Sequence, residues 1–322
     1  MEYTQNSIAS KALRNIKSLE NYVITFPIPK EVAKWSIRND LIVEIGFGNG
    51  ELITRMAKAR PNDFFLGIES SEISCKKAAM LSSKLGLKNI KFLKGDARFL
   101  IREMFPDKSV DLILALYPIP WPKVSHSKRR LMGEEFLKSV VTVLKCHGKF
   151  VMVTDDDNYL EWTKENLKHL GISFDVHQLR PIKATKYGRK WESFGKKSWS
   201  IVAYPRHFEM KRILEGCNVP HAHLKKLKLD ELEELSKSKF VDENSNLIVQ
   251  FKGLYEGKEG YLLKVLSVDG DFSQMFYLLV KRQKDGWLIK LDDTAKVFKT
   301  PAVKKSVELA AKRGEKISPQ QQ

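Results

Sequence analysis

Three glycines and three acidic residues lie where short apolar runs of the sequence end, and their types suit a cationic nucleoside ligand. Gly46, Gly48 and Gly50 stand in "EIGFGNG", which overlaps the end of the apolar run "LIVEI" at 41–45. Glycine lets the backbone approach a ligand closely because no Cβ intervenes. The spacing GxGxG is one residue tighter than the dinucleotide-binding pattern GxGxxG. The alternative for the glycines alone is an ordinary tight turn.

Glu44, Glu69 and Asp96 are predicted to lie at the carboxyl ends of three strands. Glu44 precedes the glycine turn, where its charge repels a pyrophosphate and attracts an ammonium group. Glu69 follows Gly48 by 21 residues and is placed to accept hydrogen bonds from both hydroxyls of a ribose. Asp96 is placed to accept one from an adenine amine. A ligand with an ammonium, a ribose diol and an adenine but no phosphate is S-adenosylmethionine.

Other interpretations of the same residues stay open at this point. Glu69 and Asp96 also fit helix N-caps. An NAD-dependent dehydrogenase uses a similar ribose-binding acid, but the shortened glycine motif and Glu44 disfavour it. The coincidence of four features at the right spacing favours S-adenosylmethionine.

The stretch "YPIPWPKVSHSKRR" at 117–130 follows the apolar run "DLILAL" and changes from proline-rich to basic. Proline fixes φ and removes amide donors, so this loop is expected to hold its shape without ladder hydrogen bonds. Ser127 is predicted as the N-cap of an amphipathic helix that carries Leu137 and Val140 on its apolar face. Because the helix dipole disfavours cations at that end, the basic residues predict an external anion such as phosphate. The alternatives are a solvated charge run, and packing rather than base stacking for Trp121.

A second basic segment spans 180–199 and holds seven lysines and arginines against one acid, Glu192. Its aromatic residues are Tyr187, Trp191, Phe194 and Trp199. Cations interleaved with aromatic side chains are typical of surfaces that follow a phosphate backbone and stack unpaired bases. Trp199 opens a predicted strand and is expected to belong partly to the core.

The chain of 322 residues carries a formal charge of +17, from 56 lysines and arginines against 39 acids. Such an excess predicts a polyanionic partner, with nucleic acid first and an anionic membrane second. A lysine-rich surface that serves solubility is the alternative. The concentration of charge beside the predicted catalytic edge argues against it.

The three cysteines are widely spaced and form no CxxC pair, which argues against a disulfide framework and against a zinc site. The N-terminal residues lack the apolar core of a signal peptide, and no apolar run approaches the ~18 residues of a membrane span. We therefore expect a cytoplasmic protein with neither a metal nor a membrane as partner. Monomer and homodimer both remain open.

Apolar runs alternate with helical patterns at the spacing of βαβ units, which predicts an α/β fold with a Rossmann-like, mostly parallel sheet. The predicted strands are 41–45, 64–69, 90–95, 110–116 and 148–154, followed by two closing strands within 171–179 and 198–205. The pattern changes after Pro205. We predict a first domain at 1–204 and a smaller, basic α+β extension at 205–322, with a helix in "HAHLKKLKLDELEELSKS", a β-meander at 246–292 and a helix at 301–313.

Over residues 25–204 the chain resembles the bacterial tRNA (guanine-N7-)-methyltransferases. The resemblance rests on "EIGFGNGE", "GIE", "GDA", "TD" at 154–155, "TKY" at 185–187 and the loop "PWPK" with "HSKRR", which is the most specific element. It implies a class I methyltransferase sheet with an antiparallel strand. It also implies transfer of a methyl group from S-adenosylmethionine to N7 of a guanine in the tRNA variable loop.

The resemblance also implies roles for individual residues. Cofactor binding falls to Glu44, Gly46, Gly48, Gly50, Glu69 and Asp96. Binding of the substrate guanosine falls to Lys123, Asp155, Thr185, Lys186 and Tyr187. Contact with RNA falls to Ser125, His126, Ser127, Lys128, Arg129 and Arg130.

Two positions depart from the family pattern. Where the family has an aspartate between two prolines this chain has Ile119, and where "TKYE" ends in glutamate it has Gly188. Guanine N7 is a neutral nucleophile with no proton to remove, so the transfer depends on positioning rather than on a general base. An active enzyme, an RNA-binding homologue without catalysis and a methyltransferase for another RNA position all remain open. Residues 205–322 are expected to add contacts to the tRNA backbone, or to serve packing or dimerisation.

Overall fold

The computed structural model describes residues 22–24, 40–123, 129–180, 197–214 and 218–314. The chain divides into two compact units, Met1–Lys211 and Arg212–Gln322. The sequence predicted the boundary slightly earlier, at 205.

The first unit contains an eight-stranded sheet. Its strands are β1 (Val23–Ile24), β2 (Leu41–Ile45), β3 (Phe64–Glu69), β4 (Ile90–Lys94), β5 (Val110–Leu116), β6 (Leu144–Thr154), β7 (Phe174–Leu179) and β8 (Ser198–Ala203). The spatial order is β1-β4-β3-β2-β5-β6-β8-β7. The neighbours from β1 to β6 run parallel, whereas β8 is antiparallel to both β6 and β7. This topology confirms the predicted α/β class with a mostly parallel sheet.

Within the described residues, five helices connect these strands. They are α1 (Glu51–Ala59), α2 (Glu72–Lys84), α3 (Ala97–Met104), α4 (Glu134–Val143) and α5 (Asp157–His169). All five residues of β2 are buried, as expected for a central strand of a sheet covered on both faces. The strand order reverses between β2 and β5, and ligands of such sheets bind outside the carboxyl ends at that point. The glycine turn follows β2 and the proline-rich loop follows β5, so both lie at this edge.

The predicted start of α4 is wrong. The helix begins at Glu134 with Gly133 as its N-cap, not at Ser127. Its first turn carries Glu134 and Glu135, the acidic residues that the helix dipole favours there. The basic residues precede the helix and do not lie in its first turn. Their position therefore does not predict a bound anion at the N-terminus of α4.

The second unit is built on an antiparallel sheet of six strands. They are β9 (Ala222–Leu224), β10 (Lys239–Asp242), β11 (Leu247–Gly257), β12 (Gly260–Asp269), β13 (Phe272–Gln283) and β14 (Gly286–Leu291), in the order β10-β11-β12-β13-β14-β9. The predicted meander and C-terminal helix are confirmed. The lysine-rich segment predicted as one helix is wrong in part, since it forms β9 and then a short helix.

Two helices cover one face of this second sheet: α6 (Leu229–Leu235) and α7 (Pro301–Gly314). Both pack on β11, and α7 also contacts β9, β12 and β14. Their apolar side chains join a core that includes Leu232, Phe251, Val265 and Val307. The Asp269 side chain accepts a hydrogen bond of 2.8 Å from the backbone N–H of Ala302 and so anchors the start of α7 to the sheet.

Candidate functional site

A cleft of about 460 Å³ opens at the carboxyl ends of the first sheet. It is formed by the glycine turn after β2, the ends of β3 and β4, and the loop after β5. Of the residues predicted to bind a cofactor, Gly46, Gly48, Glu69 and Asp96 line it. Ile119, Trp121 and Arg129 of the proline-rich loop line it as well.

The glycines of the turn serve two different purposes. Gly46, Gly48 and Gly50 all have positive φ, at 69°, 57° and 76°, which disfavours any other residue. A Cβ on Gly46 or Gly48 would meet nothing within 4 Å, so these two leave open space. A Cβ on Gly50 would lie 2.5 Å from the Cβ of Ala78, so Gly50 lets α1 and α2 approach each other.

Glu69 braces the glycine turn. Its Oε2 accepts a hydrogen bond from the backbone N–H of Gly48 at 3.2 Å, and its Oε1 accepts from the N–H of Ser71 at 3.0 Å. The N-cap of α2 is Ser71, whose hydroxyl oxygen accepts from Ser74, so Glu69 is not the capping residue. A carboxylate with both oxygens at the cleft retains lone pairs for the hydroxyls of a ligand.

Asp96 is the N-cap of α3, which was the alternative role expected for it. Its Oδ1 accepts from the backbone N–H of Arg98 at 2.9 Å. Its Oδ2 accepts from the Arg98 guanidinium at 2.7 Å. Arg98, which stands two residues after Asp96 in "GDAR", also lines the cleft, although no role was predicted for it. The carboxylate is held in one orientation at the cleft wall.

Glu44 is an acid in an apolar setting. Its side chain is only 3% exposed, and Oε2 has no hydrogen-bond partner among the described residues. Burial raises the pKa of Glu44 to about 8, against the hydrogen bond that the backbone N–H of Ile53 donates to it. A buried carboxyl with one oxygen unpartnered is costly to ionise. A cationic group that reached Oε2 would lower that cost.

The loop after β5 has an unusual backbone. Tyr117 and Trp121 have positive φ, 52° and 44°, although neither is glycine. Such conformations cost about 1–3 kcal/mol each and persist where the surroundings enforce them. Tyr117 is fixed by its N–H, which donates to the carbonyl of Val153 at 2.7 Å, and by its hydroxyl, 3.1 Å from that of Ser198.

Arg130 ties the two ends of this loop together. Its Nε donates to the carbonyl oxygen of Pro120 at 2.9 Å. Its guanidinium carbon lies 5.0 Å from the ring centre of Trp162 and 5.8 Å from that of Tyr159, both on α5. The Tyr159 hydroxyl accepts from the N–H groups of Leu131 and Met132, and burial raises its pKa to about 12. Sequence reasoning missed this aromatic pair, although "NYLEW" places the two rings on one helix face.

The neighbouring cations are arranged differently. Arg129 is exposed and its guanidinium carbon lies 5.1 Å from the ring centre of Trp121. Lys123 is exposed as well. Ile119, at the position of the family acid, is 64% exposed at the cleft. Polar groups of a large ligand can therefore reach Lys123 and Arg129 from solvent.

Of the remaining predicted residues, the structure describes Asp155 and Trp199, and the others lie outside the described residues. Asp155 directly follows β6, at the same edge of the sheet as the cleft. Trp199 is half-buried and its ring N–H donates to Asp157 at 2.8 Å. Outside the described residues lie Ser125, His126, Ser127, Lys128, Thr185, Lys186, Tyr187 and Gly188.

The described residues, 22–24, 40–123, 129–180, 197–214 and 218–314, hold neither a metal-binding cluster nor a membrane-spanning helix. Within those ranges no three His, Cys, Asp or Glu side chains cluster so as to hold a metal ion. No helix in the described part of the chain combines the length and the apolar character needed to cross a membrane.

Residues 38–201 match a protein-family model described as "Putative methyltransferase". A protein of Thermotoga maritima named tRNA (guanine-N(7)-)-methyltransferase is 36% identical over 83% of this chain and 87% of its own length. Proteins of the same name from Aquifex aeolicus and Thermus thermophilus are 32% and 28% identical, over 84% and 85% of this chain and 93% and 88% of their own lengths. The first unit, Met1–Lys211, is less than two thirds of the chain, whereas each similarity covers at least 83% of it, so the similarities extend into the second unit.

Proposed function

Because the chain belongs to the tRNA (guanine-N(7)-)-methyltransferase family, we propose that it transfers a methyl group from S-adenosylmethionine to N7 of a guanine in tRNA. The sequence resemblance implies a guanine of the variable loop. The observation that carries the proposal is the buried carboxyl group of Glu44, whose Oε2 has no partner among the described residues, near the end of β2 before the glycine turn.

Gly46, Gly48, Glu69 and Asp96 line the cleft, and Glu44 is buried in β2 just before the glycine turn; together these residues fit this cofactor. Glu44 would accept its ammonium group, Glu69 its ribose hydroxyls and Asp96 its adenine amine. Glu51 in the first turn of α1 adds a further negative charge near the turn, which suits an ammonium and opposes a pyrophosphate. Gly46 and Gly48 leave room for a ligand beside the backbone.

When bound, S-adenosylmethionine supplies a sulfonium methyl that the N7 lone pair displaces from sulfur, leaving a neutral thioether and a cationic guanine. The chain then has to orient the guanine rather than to remove a proton. Asp155 would accept from its N1–H and N2–H groups. Lys123, which is exposed, would also bind the guanosine, and Arg129, exposed at the cleft, would contact phosphates.

Ile119 favours a second candidate, an RNA-binding protein of the same fold without catalysis. An exposed apolar side chain stands at the cleft where the family has an acid. We favour the enzyme because the displacement at N7 needs no carboxylate to act as a base. A cytoplasmic protein, either monomer or homodimer, stays the expectation from the sequence.

The test uses purified full-length protein, S-adenosylmethionine labelled at the methyl group, and unmodified tRNA, followed by mapping of the methylated base. We expect label at a guanine N7 and none on a tRNA that carries 7-deazaguanine in place of guanine. Glu44→Gln should lose transfer, whereas Glu135→Gln, an exposed acid of α4, should keep it. If the unaltered protein binds tRNA without methyl transfer, and Ile119→Asp gains methyl transfer, the second candidate would be established. Label on the deaza tRNA would establish another target atom.

A further inference from the structure

The second sheet has one covered face and one open face. Side chains alternate between the faces of a strand, so register and burial assign each residue. Phe251, Val265 and Leu278 are buried under α6 and α7. Their neighbours in sequence, including Lys264 and Tyr277, point the other way.

Large side chains are exposed on the open face. Met275 is 56% exposed, Tyr255 50% and Tyr277 37%. The rings of Tyr255 and Tyr277 meet edge to face across β12, with centres 6.2 Å apart. Exposed, paired aromatic rings on a rigid sheet are platforms on which planar groups stack.

The charge of the open face has one sign. By register it carries Lys239, Lys264, Lys281 and Lys290, and the exposed Lys252 lies at the β-bulge between Phe251 and Gly253. None of the described strand residues that point to this face is an aspartate or a glutamate. Lys281 and Lys290 pair with Glu259 and Asp293, which lie in the turns beside the strands.

The positive charge of the open face indicates which kind of molecule binds there. A second copy of this face would bring lysines against lysines, which opposes self-association. A polyanion with unpaired bases satisfies both the lysines and the tyrosines. We propose that this open face, centred on Lys239, Lys252, Lys264, Tyr255 and Tyr277, binds tRNA, with the lysines on phosphates and the tyrosine pair under bases. This inference rests on the proposed function, which supplies tRNA as the partner.

The experiment compares two triple variants of the full chain. Lys239→Gln, Lys252→Gln and Lys264→Gln remove charge from the open face. Lys226→Gln, Lys237→Gln and Lys304→Gln remove the same charge from exposed positions outside it. The affinity for unmodified tRNA is measured as a function of salt, together with the rate of methyl transfer at saturating tRNA and the melting temperature.

We expect the open-face triple to weaken tRNA binding about tenfold and to lower the salt slope by about two to three, since each lost phosphate contact removes about one. The transfer rate at saturating tRNA should stay unchanged, and the outside triple should bind nearly as the unaltered protein does. Tyr255→Ala with Tyr277→Ala should weaken binding about tenfold with an unchanged salt slope.

Several results would overturn the assignment. Equal losses in both triples would mean general electrostatic attraction, and no loss in either would mean that the face does not contact tRNA. A change of oligomeric state in the open-face triple would make the face a contact between copies. If the unaltered protein transfers methyl groups while the open-face variants bind normally, only this inference fails. If it neither binds tRNA nor transfers, the proposed function fails.

Discussion

Replacing Glu44 by glutamine should weaken cofactor binding and stabilise the cofactor-free protein at alkaline pH. The side chain is buried, Oε2 has no partner among the described residues, and burial raises its pKa to about 8. Its ionised form is the one that pairs with an ammonium group. Breaking a buried ion pair costs about 3 kcal/mol or more, so at pH 8 the affinity of Glu44→Gln should fall by about two orders of magnitude.

The affinity of the unaltered protein should depend on pH in a defined way. Below pH 8 the carboxyl must lose its proton to bind, so affinity should rise by up to tenfold per pH unit toward pH 8. Above it the α-amino group of the ligand, with a pKa of about 8, loses its own proton and affinity should fall. Glu44→Gln should lack the rising part of this curve.

The stability of the cofactor-free protein should respond with the opposite sign. The folded pKa of Glu44 lies above its unfolded value of about 4.5, so folding favours the protonated form. Its contribution is therefore complete below pH 4.5 and is lost as pH rises toward 8. Relative to the unaltered protein, Glu44→Gln should be more stable at pH 8.5 than at pH 5.

Titration calorimetry in two buffers of different ionisation enthalpy measures the proton that binding releases near pH 6.5, and thermal unfolding measures stability. Glu135→Gln, at an exposed acid of α4, is the matched control for both. An affinity independent of pH, or cofactor binding by Glu44→Gln equal to that of the unaltered protein, would refute the role given to this carboxylate. If Glu44→Gln were less stable than the unaltered protein at pH 8.5, ionisation of Glu44 would not destabilise the folded protein.

Four further substitutions test the loop after β5 and the glycine turn. Arg130→Gln removes a hydrogen bond to Pro120 and the contacts with Trp162, so the stability measured by thermal unfolding should fall by about 2 kcal/mol. Arg129→Gln should leave stability unchanged. It should lower the salt slope of tRNA binding by about one. Gly50→Ala should cost about 2 kcal/mol or more, measured by denaturant unfolding, because its Cβ would collide with α2 at positive φ. Ile119→Asp should leave the melting temperature unchanged because the side chain is 64% exposed, and a tenfold gain in transfer rate would contradict catalysis by positioning alone.

The sequence predicts the strands best where burial is complete. The strands β2, β3 and β5 occupy the predicted ranges because central parallel strands are continuous apolar runs. The start of α4 was misplaced because Ser127 is a good capping residue by type, while the pair Glu134 and Glu135 marks the true first turn. The strand β9 was predicted as helix because its pairing with β14 joins distant parts of the chain.

Some features of the candidate site could likewise be predicted from the sequence, and others required the tertiary structure. The acids and glycines of the cleft follow directly from their places at strand ends. The engagement of Arg130 does not, because Trp162 lies on a helix beyond β6 and only the tertiary structure brings the two together. The dual position of Asp96, at the cleft and at the N-cap of α3, also requires the structure.

One indole ring in the proline-rich loop and one on the helix beside it make the loop observable by spectroscopy. The chain has six tryptophans, and the rings of Trp121 and Trp162 lie beneath the guanidinium groups of Arg129 and Arg130. Indole emission shifts with a charge held near the ring, so each ring reports on a different cation. In Trp162→Phe the emission of Trp121 remains and reports on the exposed Arg129. In Trp121→Phe the emission of Trp162 remains and reports on the internal Arg130. Intrinsic fluorescence thus separates RNA arrival at the loop surface from movement of the loop itself, without an attached dye.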